Sequence, residues 1–169
     1  PAAWADEVDQ LLPEPVSNQL RDNTRAMMRA GVDSDEAIKM TRTMIQNRFH
    51  ERDVLAAQQT VIETRTQGLP EEAVMNKAYE GMAKQVDTER IVEAMRQVKS
   101  RYATSYQYAQ ELTKEPSTVK RVGTAAADAM AAGLASQAMD RVMTQLQNRL
   151  LTDTPNKAEA AELCVQTML

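Results

Sequence analysis

Only 5 glycines and 6 prolines interrupt 169 residues, and they separate long stretches of good helix formers. Gly31, Gly68 and Gly133 each follow apolar residues at helical spacing. A residue that tolerates positive φ is what a helix C-terminus calls for there. Pro13 and Pro15 break an opening segment, and Pro70 and Pro116 stand where new helices begin. Aromatic residues make up 4% of the chain, and the 11 methionines suit irregular helical cores better than a sheet.

Reading along the chain, a short helix over residues 2–12 ends at Pro13. A second runs over 16–30 to Gly31. Asp33 starts a third, with Glu36 placed to reach back in a capping box. Its apolar stripe is Ile38, Thr41, Met44 and Ile45. A turn falls at His50-Glu51-Arg52. The next helix carries Val54, Leu55, Gln58 and Val61 and stops at Gly68, and Pro70 opens the first turn of another. Asp87 starts a pattern over 88–113 that fits one long helix or two. Pro116-Ser117-Thr118 restarts the chain up to Gly133. A further helix includes Met139, Met143 and Leu146, and Thr152-Asp153-Thr154-Pro155 caps a last one. Eight or nine helices with short connections define an all-α fold of antiparallel helical hairpins. A closed bundle and a short superhelical array both satisfy this pattern. Residues 1–14 read as an acidic N-terminal segment and 15–169 as a single helical domain.

The chain also echoes itself. Met28, Ala30, Gly31, Ser34, Ala37, Thr43, Gln46, Asn47 and Arg48 reappear as Met130, Ala132, Gly133, Ser136, Ala138, Thr144, Gln147, Asn148 and Arg149. Internal duplication would relate residues 28–68 to 130–169, and shared helical periodicity is the competing account. Val32-Asp33-Ser34-Asp35 is also similar to Val86-Asp87-Thr88-Glu89, both being good helix starts.

Charge narrows the partners. The net charge is −4, and residues 1–20 hold Asp6, Glu7, Asp9 and Glu14 with no lysine or arginine. The remainder is therefore balanced. Nucleic-acid binding shows as a basic excess or stripe, so a nucleic-acid partner is not expected. No apolar run approaches the ~20 residues that span a membrane. The chain opens on Pro1 rather than on methionine, which favours export over a cytoplasmic location, with truncation as the other account.

No assembled catalytic set stands out. His50 is the only histidine and has no HExxH partner, and a single Cys164 excludes an intrachain disulfide. Cys164 falls on an apolar helix face, where an inert buried thiol is expected. There is no glycine-rich phosphate loop, and no cofactor is called for. Met40 and Met44, and Met139 and Met143, are pairs four residues apart whose thioethers suit Cu(I), although core packing explains them equally. Arg101, Tyr102, Tyr106 and Tyr108 form the best candidate binding patch, because tyrosine and arginine are enriched at binding hot spots. The alternative is that Tyr102 and Tyr106, on one helix face, close the core. Gly81, inside a good helix, marks either a close helix approach or the helix end.

The reading that follows is a non-catalytic structural or protein-interaction helical module. It binds an unidentified protein partner, and homo-oligomerisation is open. The alternatives are a small-ligand or enzymatic bundle with a pocket between distant helices, and an exported Cu(I)-binding protein.

Overall fold

A computed structural model describes residues 4–13 and 15–152. Among them the chain is all-α, with eight helices and no strand. These are α1 (Trp4–Leu11), α2 (Asn18–Arg29), α3 (Ser34–Gln46), α4 (Glu51–Thr66), α5 (Glu71–Ala83), α6 (Thr88–Leu112), α7 (Pro116–Ala131) and α8 (Ser136–Thr152). The helix expected from Thr152 onward, with Cys164, lies outside the described residues.

One turn design recurs at five helix ends. After α2, the Gly31 amide donates to the Met28 carbonyl at 2.9 Å and the Val32 amide to the Met27 carbonyl at 3.1 Å. The same pair of bonds follows α3 at Arg48 and Phe49, α4 at Gly68 and Leu69, α5 at Gln85 and Val86, and α7 at Gly133 and Leu134. This is the Schellman arrangement, which satisfies carbonyls that a helix end otherwise leaves open. Each first residue has positive φ, from 53° at Gln85 to 107° at Gly133. Each second residue is apolar, and Val32, Phe49 and Leu69 are buried. The next helix starts after one more residue. At Asp33 the side chain accepts from the Asp35 and Glu36 amides, and at Asp87 it accepts from the Glu89 amide.

This turn moves several boundaries. The break expected at His50-Glu51-Arg52 falls at residues 47–50, because Arg48 takes the left-handed conformation and α4 begins at Glu51. Pro70 stands just before α5 as its cap residue rather than inside its first turn. Residues 88–112 form one helix. Pro116 is the first residue of α7, and the Glu115 carboxylate caps it through the Ser117 and Thr118 amides at 3.0 and 2.6 Å. Hydrogen bonds from Thr118 and then Ser117 hold the Glu115 carboxyl at about 2, far below the ordinary carboxylate range. Glu36 does not reach back to its own cap; it pairs with Lys39 at 2.9 Å.

The chain divides into two compact units, Pro1–Lys99 and Ser100–Leu169. In the first, α2 packs on α1, α3 and α4, and α5 packs on α3 and α4. Met27, Met40, Met44, Val54, Val61 and Val74 are fully buried. Polar side chains also enter this core. Gln58 is fully buried, and its amide nitrogen donates to the Thr24 and Thr41 hydroxyls at 3.0 and 2.9 Å. Those hydroxyls in turn donate to the Leu20 and Ala37 carbonyls. The Gln58 carbonyl oxygen accepts no hydrogen bond among the described residues.

Gly81 lies buried within α5 against Ile91 of α6. A Cβ there would stand 2.6 Å from Ile91 Cγ1, so the glycine permits a close helix approach. It does not mark the helix end. In the second unit Gly123 of α7 does the same for Tyr106, whose ring would lie 2.5 Å from an added Cβ. The core there is built from Ala109, Val122, Ala126, Met139, Met143 and Leu146.

Where the echo would repeat the α3–α4 turn, around residues 148–151, α8 continues to Thr152. Gly31 and Gly133 both sit just beyond a helix end with positive φ.

Candidate functional site

In the first unit the α3 and α5 faces leave a half-open cleft of about 390 Å³. Helical spacing places the lining. Asp33, Glu36 and Lys39 follow one another at intervals of three from the cap of α3 into the helix, and Glu71, Met75 and Tyr79 at intervals of four along α5. Val32 and Met75 supply a buried apolar floor, while Asp33, Glu72 and Asn76 are exposed at the rim.

Four of the lining side chains are carboxylates, Asp33, Glu36, Glu71 and Glu72, and all lie at or within the first turn of a helix. A helix N-terminus favours negative charge, so the acidity of the cleft follows from two helix starts meeting at one place. Glu71 is only 7% exposed and pairs with Arg65 at 3.3 Å. The Arg65 guanidinium also lies against Gly31, so the turn that starts α3 rests on the pair that fixes the start of α5.

Tyr79 organises the inner end. Its hydroxyl donates to the Glu36 carboxylate at 3.4 Å, and the Lys39 ammonium stands 5.3 Å from its ring centroid. A cation over an aromatic face is attracted by the ring quadrupole. Burial first, and then the Glu36 charge, push the Tyr79 hydroxyl above its ordinary pKa. At neutral pH the hydroxyl is therefore a hydrogen-bond donor. The cleft offers fixed carboxylates, one ammonium and one aromatic ring, but no thiol or imidazole.

The residues singled out from sequence fall elsewhere, in the second unit. Tyr102 and Tyr106 are buried, with ring centroids 6.2 Å apart and planes inclined at 52°. Tyr106 packs on Gly123, and its hydroxyl lies 3.4 Å from that of Thr124. Tyr108 is half-buried and donates to Asp140 of α8, a bond that raises its pKa ahead of the effect of burial. Arg101 is partly exposed. Arg101 and Tyr108 are thus the members of the set that reach the surface. Met40 and Met44 are buried in the first unit, and Met139 and Met143 in the second. His50 caps α4 without a side-chain hydrogen bond. Among the described residues no three His, Cys, Asp or Glu side chains group as metal ligands, and no helix is long and apolar enough to cross a membrane.

The cleft went unread in the sequence because its two walls lie almost forty residues apart. The signal present was a pair of acidic helix starts, which any exposed helix shares. No known protein family, curated protein or solved structure matches the chain.

Proposed function

We propose that the chain is a non-catalytic helical module that binds a protein partner through the α3–α5 cleft. The observation that carries this reading is the cleft's make-up: an apolar floor at Val32 and Met75, the half-buried Tyr79 ring, and a rim of exposed polar side chains. Interfaces combine an apolar centre with a polar rim in this way, and tyrosine is a frequent anchor. The protonated Tyr79 hydroxyl and the paired Glu36 and Glu71 suit binding rather than proton transfer.

A photo-crosslinker at Asn76, exposed on the cleft rim, tests this, with Gln59 of α4 as an exposed control outside the lining. The expected result is one protein captured at Asn76 and not at Gln59, lost when Tyr79→Ala is added. Equal labelling at both positions refutes the reading. A second reading, a small-ligand site, is favoured by the volume of about 390 Å³, which lies within the range of ligand pockets. Under that reading Tyr79→Ala abolishes a ligand-induced rise in melting temperature and leaves the crosslinking pattern featureless.

A further inference from the structure

The seat of α1 is self-contained. Val8 and Leu12 are buried with Ile38, against Val16 and Met28. Helix α1 packs on α2 and α3. Arg21 of α2 is 6% exposed and donates to the Val8 and Asp9 carbonyls, in the last turn of α1, at 3.2 Å each. Arg25, one turn further along α2, meets the Asp9 carboxylate at 2.6 Å. The seat is thus an apolar groove with two arginines at its edge, and it reads a short acidic helix with apolar residues four apart.

Three observations bear on who else can fill it. First, α1 has eight residues, far fewer than an isolated helix needs in water, so it folds only when docked. Second, its connection to α2 contains Pro13 and Pro15, which have no amide hydrogen to anchor the linker to the body. Third, residues 1–20 carry four acids and no base, which equals the whole net charge of −4. That segment is drawn to the arginine pair of any copy of the chain. Leu11, 45% exposed, is a large apolar side chain left uncovered at the end of α1.

We propose that the α2–α3 groove is an interaction surface for α1 of a second copy, so that two chains exchange their α1 helices and form a dimer. An exchanged helix makes every contact that the closed chain makes. The two states then differ in the linker and in the entropy of association, and concentration decides between them. This inference is independent of the cleft between α3 and α5.

The test uses the full chain with Cys164→Ser, mixing a Val8→Cys variant with an Ile38→Cys variant. Both positions are buried, so a short thiol crosslinker joins them only when a helix is seated. The double variant V8C/I38C provides the intrachain reference. The expected result is a covalent dimer in the mixture, suppressed when Arg21→Gln and Arg25→Gln weaken the seat. Light scattering on the unmodified chain should show the dimer-to-monomer ratio rising about tenfold for each tenfold rise in free monomer. A chain that stays monomeric at every concentration overturns the proposal. So does a dimer that forms while the mixed single variants stay unlinked and the double variant links within one chain.

Discussion

Gly81→Ala sets two effects of known size against each other. Alanine improves the helix by about 1 kcal/mol over glycine. The added Cβ meets Ile91 Cγ1 at 2.6 Å, Cδ1 at 2.9 Å and Cγ2 at 3.3 Å. Real Cβ atoms do not sit at the first of these distances, and Ile91 is 2% exposed, so it cannot turn out into solvent. Overpacking of this kind costs about 1–3 kcal/mol, and contact with the Cγ1 methylene, held next to the β-branch rather than at a free chain end, places it high in that range. The expected net loss is therefore roughly 1–2 kcal/mol, read by urea denaturation with an unchanged m-value. The geometry also dictates the rescue. Ile91→Val removes Cδ1 but keeps Cγ1 and Cγ2, so it leaves the worst contact in place. Ile91→Ala removes all three atoms. Alone it costs about 2–5 kcal/mol as a cavity. Combined with G81A it should cost less than the sum of the two, by about 1 kcal/mol or more. A stabilised G81A, or an equal rescue by I91V, would falsify the argument that close approach rather than helix propensity governs this position.

Gln58→Met should stay within about 1 kcal/mol of the parent in urea denaturation, because the neutral hydrogen bonds of its amide to Thr24, Thr41 and the Leu20 carbonyl are lost while an unpaired buried oxygen is removed. Thr41→Val should cost about 1 kcal/mol, since the Gln58 amide loses its nearest acceptor and keeps the Thr24 hydroxyl and the longer 3.4 Å contact to the Leu20 carbonyl. Gln85→Gly should stabilise by about 0.5–1 kcal/mol by relieving a left-handed side-chain residue, while Gly68→Ala, in the same geometry with open space at its Cβ, should lose a similar amount. The Glu115 cap contributes above the ordinary carboxylate pKa and is lost as pH falls through about 2; a carboxyl NMR titration with its midpoint at the ordinary value would refute it.

How much of this the sequence disclosed depended on how far apart the interacting residues lie. Helix ends marked by glycine, proline or an aspartate cap could be located, because those signals act within a few residues. Arg48 and Gln85 close helices through the same bonds as the glycines, yet nothing in their chemistry advertises positive φ. Thr41 and Gln58 fall at helical spacing among apolar residues. That they meet Thr24 in one hydrogen-bonded cluster depends on three helices arriving together. Tyr102 and Tyr106 were placed on one helix face, and the structure finds both buried. What lay beyond reach was Gly123, seventeen residues on, whose missing side chain makes room for the Tyr106 ring. The cleft was invisible for the same reason, since first-turn carboxylates look alike whether or not two helix starts converge.

The repeated turn has a kinetic consequence. At five connections only two residues separate the C-cap of one helix from the residue that precedes the next, and both of their amides are tied back to the helix just completed. Such a junction is assembled from residues within one helical turn of each other and involves almost no loop closure. The direction of each new helix is thereby set before any distant partner arrives. Chains rich in local contacts fold fast, and these five corners each add such contacts at minimal sequence separation.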